Sequence, residues 1–202
     1  LGCWAGAEGQ KYDYRWILNS IRFQTNAIVF IDGTADTIRT ARPWYMDNTQ
    51  TTISDSSGTR LLFYTNGIYI ANSLDEKIEN SDSLSPGYMT YVWDPTIAIY
   101  GQRIPHSIYA LQSLSNSNQY YVIHDLSEIE GTDVLGISLL YSLLDMSENG
   151  GHGKVLQKNQ IIINDTIANS FAITRHANGQ DWWILVQKRK TNCYYRILLT
   201  QN

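Results

Sequence analysis

The 202 residues carry 15 Lys and Arg against 19 Asp and Glu, a net charge of −4, with 43% apolar and 12% aromatic content. That is enough apolar chain for a sizeable core, and the slight acid excess excludes a protein built to neutralise nucleic-acid phosphates. No apolar run approaches the roughly 18 residues of a membrane-spanning helix, and Ser, Thr, Asn and Gln outnumber the charged residues, so the expected surface is neutral and hydrogen-bonding.

Cys3 and Cys193 sit at opposite ends, a spacing that excludes a disulfide scaffold and leaves either one bridge or two thiols. Between them, no window keeps apolar residues at helical spacing for three turns, and the expectation is an all-β chain. An N-terminal piece, Arg15 to Asp32, comes first. Short strands then recur between Asn, Gly, Ser and Asp clusters that supply turn geometry. They are Thr51–Ser54, Arg60–Thr65 and Gly67–Ala71; then Ile108–Leu114, Tyr120–His124, Leu139–Met146 and Val155–Ile163; then Phe171–His176, Trp182–Gln187 and Tyr194–Thr200.

Three of these follow a turn in the same way: SSGTRLLFYT, NSNQYYVIHD and ANGQDWWILV. With Leu61, Tyr120 and Trp182 as equivalent positions the intervals are 59 and 62 residues. Serial repeats of four antiparallel strands predict β-propeller blades, with a β-sandwich as the structural alternative. On this reading residues 1–202 are a single propeller segment: a blade remnant at 15–48 and repeats at 49–106, 107–166 and 167–202. The third repeat stops at its third strand, so the expectation is a partial propeller, completed by further domains or another chain. The extra length lies in loops, the longest being Ser73 to His106, and Asn149, Gly150 and Gly151 supply a sharp turn between third and fourth strands.

Three strings, YSLLDMSENGGHGKVLQKN (Tyr141–Asn159), ITRHANGQDWWILVQKRKTNCYYRILLT (Ile173–Thr200) and ISDSSGTRLLFYTNGIYIAN (Ile53–Asn72), resemble the propeller modules of large secreted proteins of Bacteroidota. The resemblance covers about residues 50 to 200. It implies an extracellular or cell-surface location and export by type IX secretion, with the propeller followed by immunoglobulin-like modules and a C-terminal sorting signal. The sorting signal is not in this sequence.

Signatures of nucleophilic, metal-peptidase, nucleoside-triphosphate and dinucleotide sites are missing from the sequence. Asp125, Glu128, Glu130 and Asp133 place four carboxylates in nine residues, a set that would offer oxygen ligands to calcium but lacks EF-hand order; a solvated charged loop is the plainer expectation, and no other cofactor is expected. His124 beside Asp125 on a strand points to the opposite face, which makes the two poor acid–base partners. Aromatic residues are the better lead. Six Trp and 14 Tyr exceed what the core needs, and Trp44, Tyr45, Tyr88, Tyr91, Trp93 and Tyr100 lie in or near long loops, where they suit carbohydrate stacking, protein contacts or loop packing.

The expected function is a non-catalytic binding or adhesion module whose loops on one propeller face meet a glycan or protein. Trp93, Tyr100, Asn66, His124, Lys188 and Arg189 are its expected contact residues. A glycan-active enzyme using the loop carboxylates and a structural subunit of a surface assembly are the alternatives.

Overall fold

The computed structural model describes residues 13–18, 25–31, 33–40, 42–44, 46, 48–88, 90, 101–102 and 104–200. Its sheets are antiparallel, and all strand pairings but one join strands consecutive in sequence. β1 (Arg15–Leu18), β2 (Thr25–Ile31) and β3 (Thr34–Thr40) make the first, and β4 (Thr51–Ser54), β5 (Leu61–Thr65) and β6 (Ile70–Asn72) the second. The third unit is four-stranded: β7 (Ile108–Gln112), β8 (Gln119–Glu130), β9 (Asp133–Asp145) and β10 (Lys154–Ile163). β11 (Ile167–Arg175), β12 (Trp182–Lys188) and β13 (Tyr194–Leu199) form the last unit, and the pairing of Ile167 with Gly136 of β9 makes the third and last units one seven-stranded sheet. Among the described residues no helix is long and apolar enough to cross a membrane.

The turns fall where the sequence places them. Residues 55–60, 113–118 and 176–181 connect first to second strands in the last three units, and Asn149–Gly151 forms a single 3-10 turn between β9 and β10. In the first of these turns the Asp55 carboxylate accepts from the Thr59 N–H at 3.0 Å and from the Ser57 hydroxyl at 2.8 Å, closing the hairpin with its own side chain. A vestige of a fourth strand follows β6: the Ile78 N–H donates to Ile70 O, and Ala71 bridges Lys77.

Three cores separate the four units. Ile17 and Met46 meet Leu61, Tyr64 and Tyr69 between the first and second; Phe63, Ile70 and Ile78 meet Tyr120, Val122 and Leu144 between the second and third. Leu111, Ile123 and Leu139 meet Phe171, Ile184 and Val186 between the third and last. Because neighbours along a strand point to opposite faces, a double aromatic or aliphatic pair serves two cores at once. Leu61 enters the core before its sheet and Leu62 the core after it; Tyr120 and Tyr121 repeat the arrangement. Trp182 packs into the core before its sheet, whereas Trp183 lies on the outer face of the last unit, beside His176 and Arg196. The first strands are neighbours in turn, β1 beside β4 and β4 beside β7.

One expectation is corrected here. Residues 125–133 are not a loop: β8 and β9 continue as a paired ribbon to Glu130 and Asp133, closed by a two-residue turn with Gly131 at φ 64°. Glycine at the first central position is the type II′ choice, whose twist matches the flanking strands.

Candidate functional site

A cleft of about 650 Å³ opens where the first strands approach one another. Thr51, Thr52 and Ile53 of β4 form one part of its wall, and Ala110, Leu111 and Gln112 of β7 another. The hairpin between β11 and β12 contributes Arg175, Gln180 and Trp182, and Asp13, just ahead of β1, completes the polar lining.

Arg175 and Trp182 are cross-strand partners, so their side chains share a face. The guanidinium lies over the indole at 4.3 Å from the ring centroid, and its Nη1 donates to Gln180 O at 3.3 Å. A cation stacked on an aromatic face and tethered by a backbone carbonyl loses less freedom on binding than an unrestrained one. The indole Nε1 of Trp182 is buried and has no acceptor among the described residues. Thr52 is held by its hydroxyl donating to Arg15 O at 2.8 Å, and Gln112 by its amide donating to Ser117 O at 2.8 Å. The lining therefore offers hydroxyls, amides, one guanidinium and one carboxylate, on strands fixed by the cores behind them. Such a set of groups can hydrogen-bond a polar ligand.

The expected contact residues are distributed elsewhere. Asn66 is buried and does turn work: its Oδ1 accepts from the Ile68 N–H at 3.2 Å and its carbonyl from the Gln102 N–H at 2.9 Å. His124 is 1% exposed, held between Ser85 Oγ at 2.7 Å from Nδ1 and Ser142 Oγ at 3.2 Å from Nε2. Burial pushes its pKa down to about 3, and it is a core histidine rather than a surface contact. Lys188 is engaged by Asp165 at 2.6 Å, and Arg189 by Asp133 at 3.0 Å and Val134 O at 2.9 Å. Trp93 and Tyr100 lie outside the described residues, as do Tyr45, Tyr91 and Cys3; Cys193 is exposed. Of the other loop aromatics, Trp44 packs against the core of the first two units, whereas Tyr88 is exposed.

The four carboxylates of the ribbon do not converge. Asp125 is buried, accepts from the Ser127 hydroxyl at 2.6 Å, and has its pKa raised by burial to about 7, with the Ser127 and Ser107 hydroxyls acting against that rise. Glu128 accepts from the Tyr88 N–H at 3.0 Å, Asp133 pairs with Arg189, and Glu130 stands at the exposed tip. Among the described residues no three His, Cys, Asp or Glu gather as metal ligands. Alternation along the ribbon is the physical reason, since it turns successive acids to different faces.

Around Asp125 and His124 runs a buried hydroxyl and amide network. The Ser107 hydroxyl lies 3.2 Å from that of Thr49, the Gln102 amide donates to Thr90 at 3.3 Å, and Thr90 in turn donates to Ser85 O. This network fastens the segment after β6 to the third unit. The cleft was not singled out in the sequence as a site. Its signal was the paired Arg175 and Trp182 flanking the Asn178–Gly179 turn, which becomes a site only because β4 and β7 come beside it.

No family model, no curated protein and no solved structure matches the chain.

Proposed function

We propose that the chain is a non-catalytic binding module of an exported cell-surface protein, built as part of a β-propeller and presenting its inner-strand cleft to a glycan. The observation that carries this reading is the cleft itself, with hydroxyl and amide side chains on three rigid units and a stacked arginine at one end. Ligand sites favour such concave places between packed elements, where orientation is fixed before binding.

The propeller is supported by the equivalent placing of Leu61, Tyr120 and Trp182 toward the preceding unit, and by the succession of first strands along one side. On this reading the Trp183 face meets the next sheet of the propeller. A glycan-active enzyme would need two acids at the bond being cut. Asp13 is the one carboxylate among the described residues lining the cleft, which favours binding over turnover. The loop containing Trp93 and Tyr100 remains a proposed second contact.

The test is attachment of the purified chain to immobilised oligosaccharides, compared with Gln112→Ala in the cleft and with the Trp93→Ala, Tyr100→Ala double variant. Loss on changing Gln112 assigns attachment to the cleft, and loss in the double variant assigns it to the long loop. Attachment unaffected by either, or release of shortened oligosaccharide, overturns the reading.

A further inference from the structure

Arg175 has more donors than the protein uses. Its guanidinium gives one bond to Gln180 O, and among the described residues its remaining N–H groups meet no acceptor and no carboxylate. Trp182 supports its flat face at 4.3 Å, which leaves the donor-bearing edge as the part a ligand can use. Arg42, Lys188 and Arg189 are engaged by Asp75, Asp165 and Asp133. Arg175 has no such carboxylate among the described residues, and it lines the cleft.

From this geometry we infer that the cleft binds an acidic glycan, with the carboxylate of a uronic acid residue against the Arg175 edge. The inference rests on the binding-module reading and names its ligand class. A guanidinium edge matches a carboxylate through two parallel N–H···O bonds, a fit that a lysine ammonium cannot reproduce. The remaining lining selects a sugar acid over other anions. Thr51, Thr52, Gln112 and Gln180 offer hydroxyls and amides to ring hydroxyls. Asp13, just ahead of β1, adds an acceptor for a further ring hydroxyl. A phosphate-rich ligand or an acidic peptide has no ring hydroxyls with which to use that part of the lining.

Titration calorimetry with trigalacturonate, maltotriose and tetraglutamate tests this on the intact chain. Trigalacturonate is expected to bind at least tenfold more tightly than either of the others, and Arg175→Gln is expected to weaken it by tenfold or more. Arg175→Lys, which keeps the charge and loses the fork, is expected to recover only part of that loss. Arg175 is exposed, so these changes leave the cores intact, and unchanged thermal unfolding of each variant confirms it. Equal binding of trigalacturonate by wild type and Arg175→Gln overturns the inference, as does no binding of trigalacturonate at all. Maltotriose binding as tightly as trigalacturonate overturns the acidic class while leaving a glycan-binding cleft; tetraglutamate binding as tightly overturns the sugar.

Discussion

β8 and β12 carry the same kind of sequence in different surroundings. Tyr120, Tyr121, Val122 and Ile123 of β8 divide between two cores, with Val122 and Ile123 almost fully buried on opposite faces. In β12, Trp182, Ile184 and Val186 face a core, whereas Trp183 and Leu185 face outward, next to Leu198 of β13. Leu185 and Leu198 are 38% and 41% exposed. A strand that is apolar on both sides is written for burial on both sides. The contrast shows that β12, although paired on both edges, has the composition of a strand buried on both faces while only one of its faces meets a core.

The largest expected effect lies in the region that is closed on both sides. Phe63 is completely buried and meets Tyr120 edge-on at 5.1 Å, so Phe63→Ala should lower unfolding free energy by about 3 to 5 kcal/mol in denaturant titration. A cost near 1 kcal/mol would mean that this core is no better packed than the outer face of β12. Somewhat smaller is the effect of Gly67→Ala. Gly67 has φ 87°, and an added Cβ would stand 2.6 Å from Thr49 Cγ2, so about 3 kcal/mol of strain and displacement is expected by the same titration.

The buried pair His124 and Asp125 sharpens the comparison through pH. Burial raises the pKa of Asp125 to about 7 in the folded state, so its contribution is full below the ordinary carboxylate range and is lost as pH rises through 7. His124 works the other way: with its pKa lowered to about 3, its contribution is present above the ordinary histidine value and lost as pH falls toward 3. The two slopes oppose each other between roughly pH 4 and 6.5. Asp125→Asn should therefore unfold at temperatures that rise with pH across that window, and His124→Gln at temperatures that fall. Parallel profiles for the two variants would remove the opposition.

Trp183→Ala should have the smallest effect, about 1 kcal/mol or less in the isolated chain, because it forfeits only stacking with His176 and Arg196 at a half-open surface. The same substitution should cost several times more wherever another sheet covers that face. Equal costs in both settings would detach β12 from the pattern of β8.

Much of this was legible in the residues. Leu61–Leu62, Tyr120–Tyr121 and Trp182–Trp183 announce two-faced strands, and Ser57–Gly58, Asn116–Asn118 and Asn178–Gly179 announce the hairpins between them. The ribbon was less legible because four acids in nine residues read as solvated loop, although Gly131–Thr132 carried a hairpin signal. The burial of His124 and Asn66 depends on segments far away in sequence, Ser85 on one and Gln102 on the other, and local pattern cannot report such contacts. The cleft was hidden for the same reason: Asp13, Thr51, Gln112 and Arg175 come from four units, and only their packing makes them neighbours.

The β8–β9 ribbon also makes the molecule open to grafting. Gly131 stands with nothing within 4 Å of an added Cβ, and Glu130, Thr132 and Asp133 around it are exposed. The three cores draw nothing from this turn, so a peptide spliced between Gly131 and Thr132 would be displayed at the end of a stiff two-stranded stalk while the sheets below fold as before.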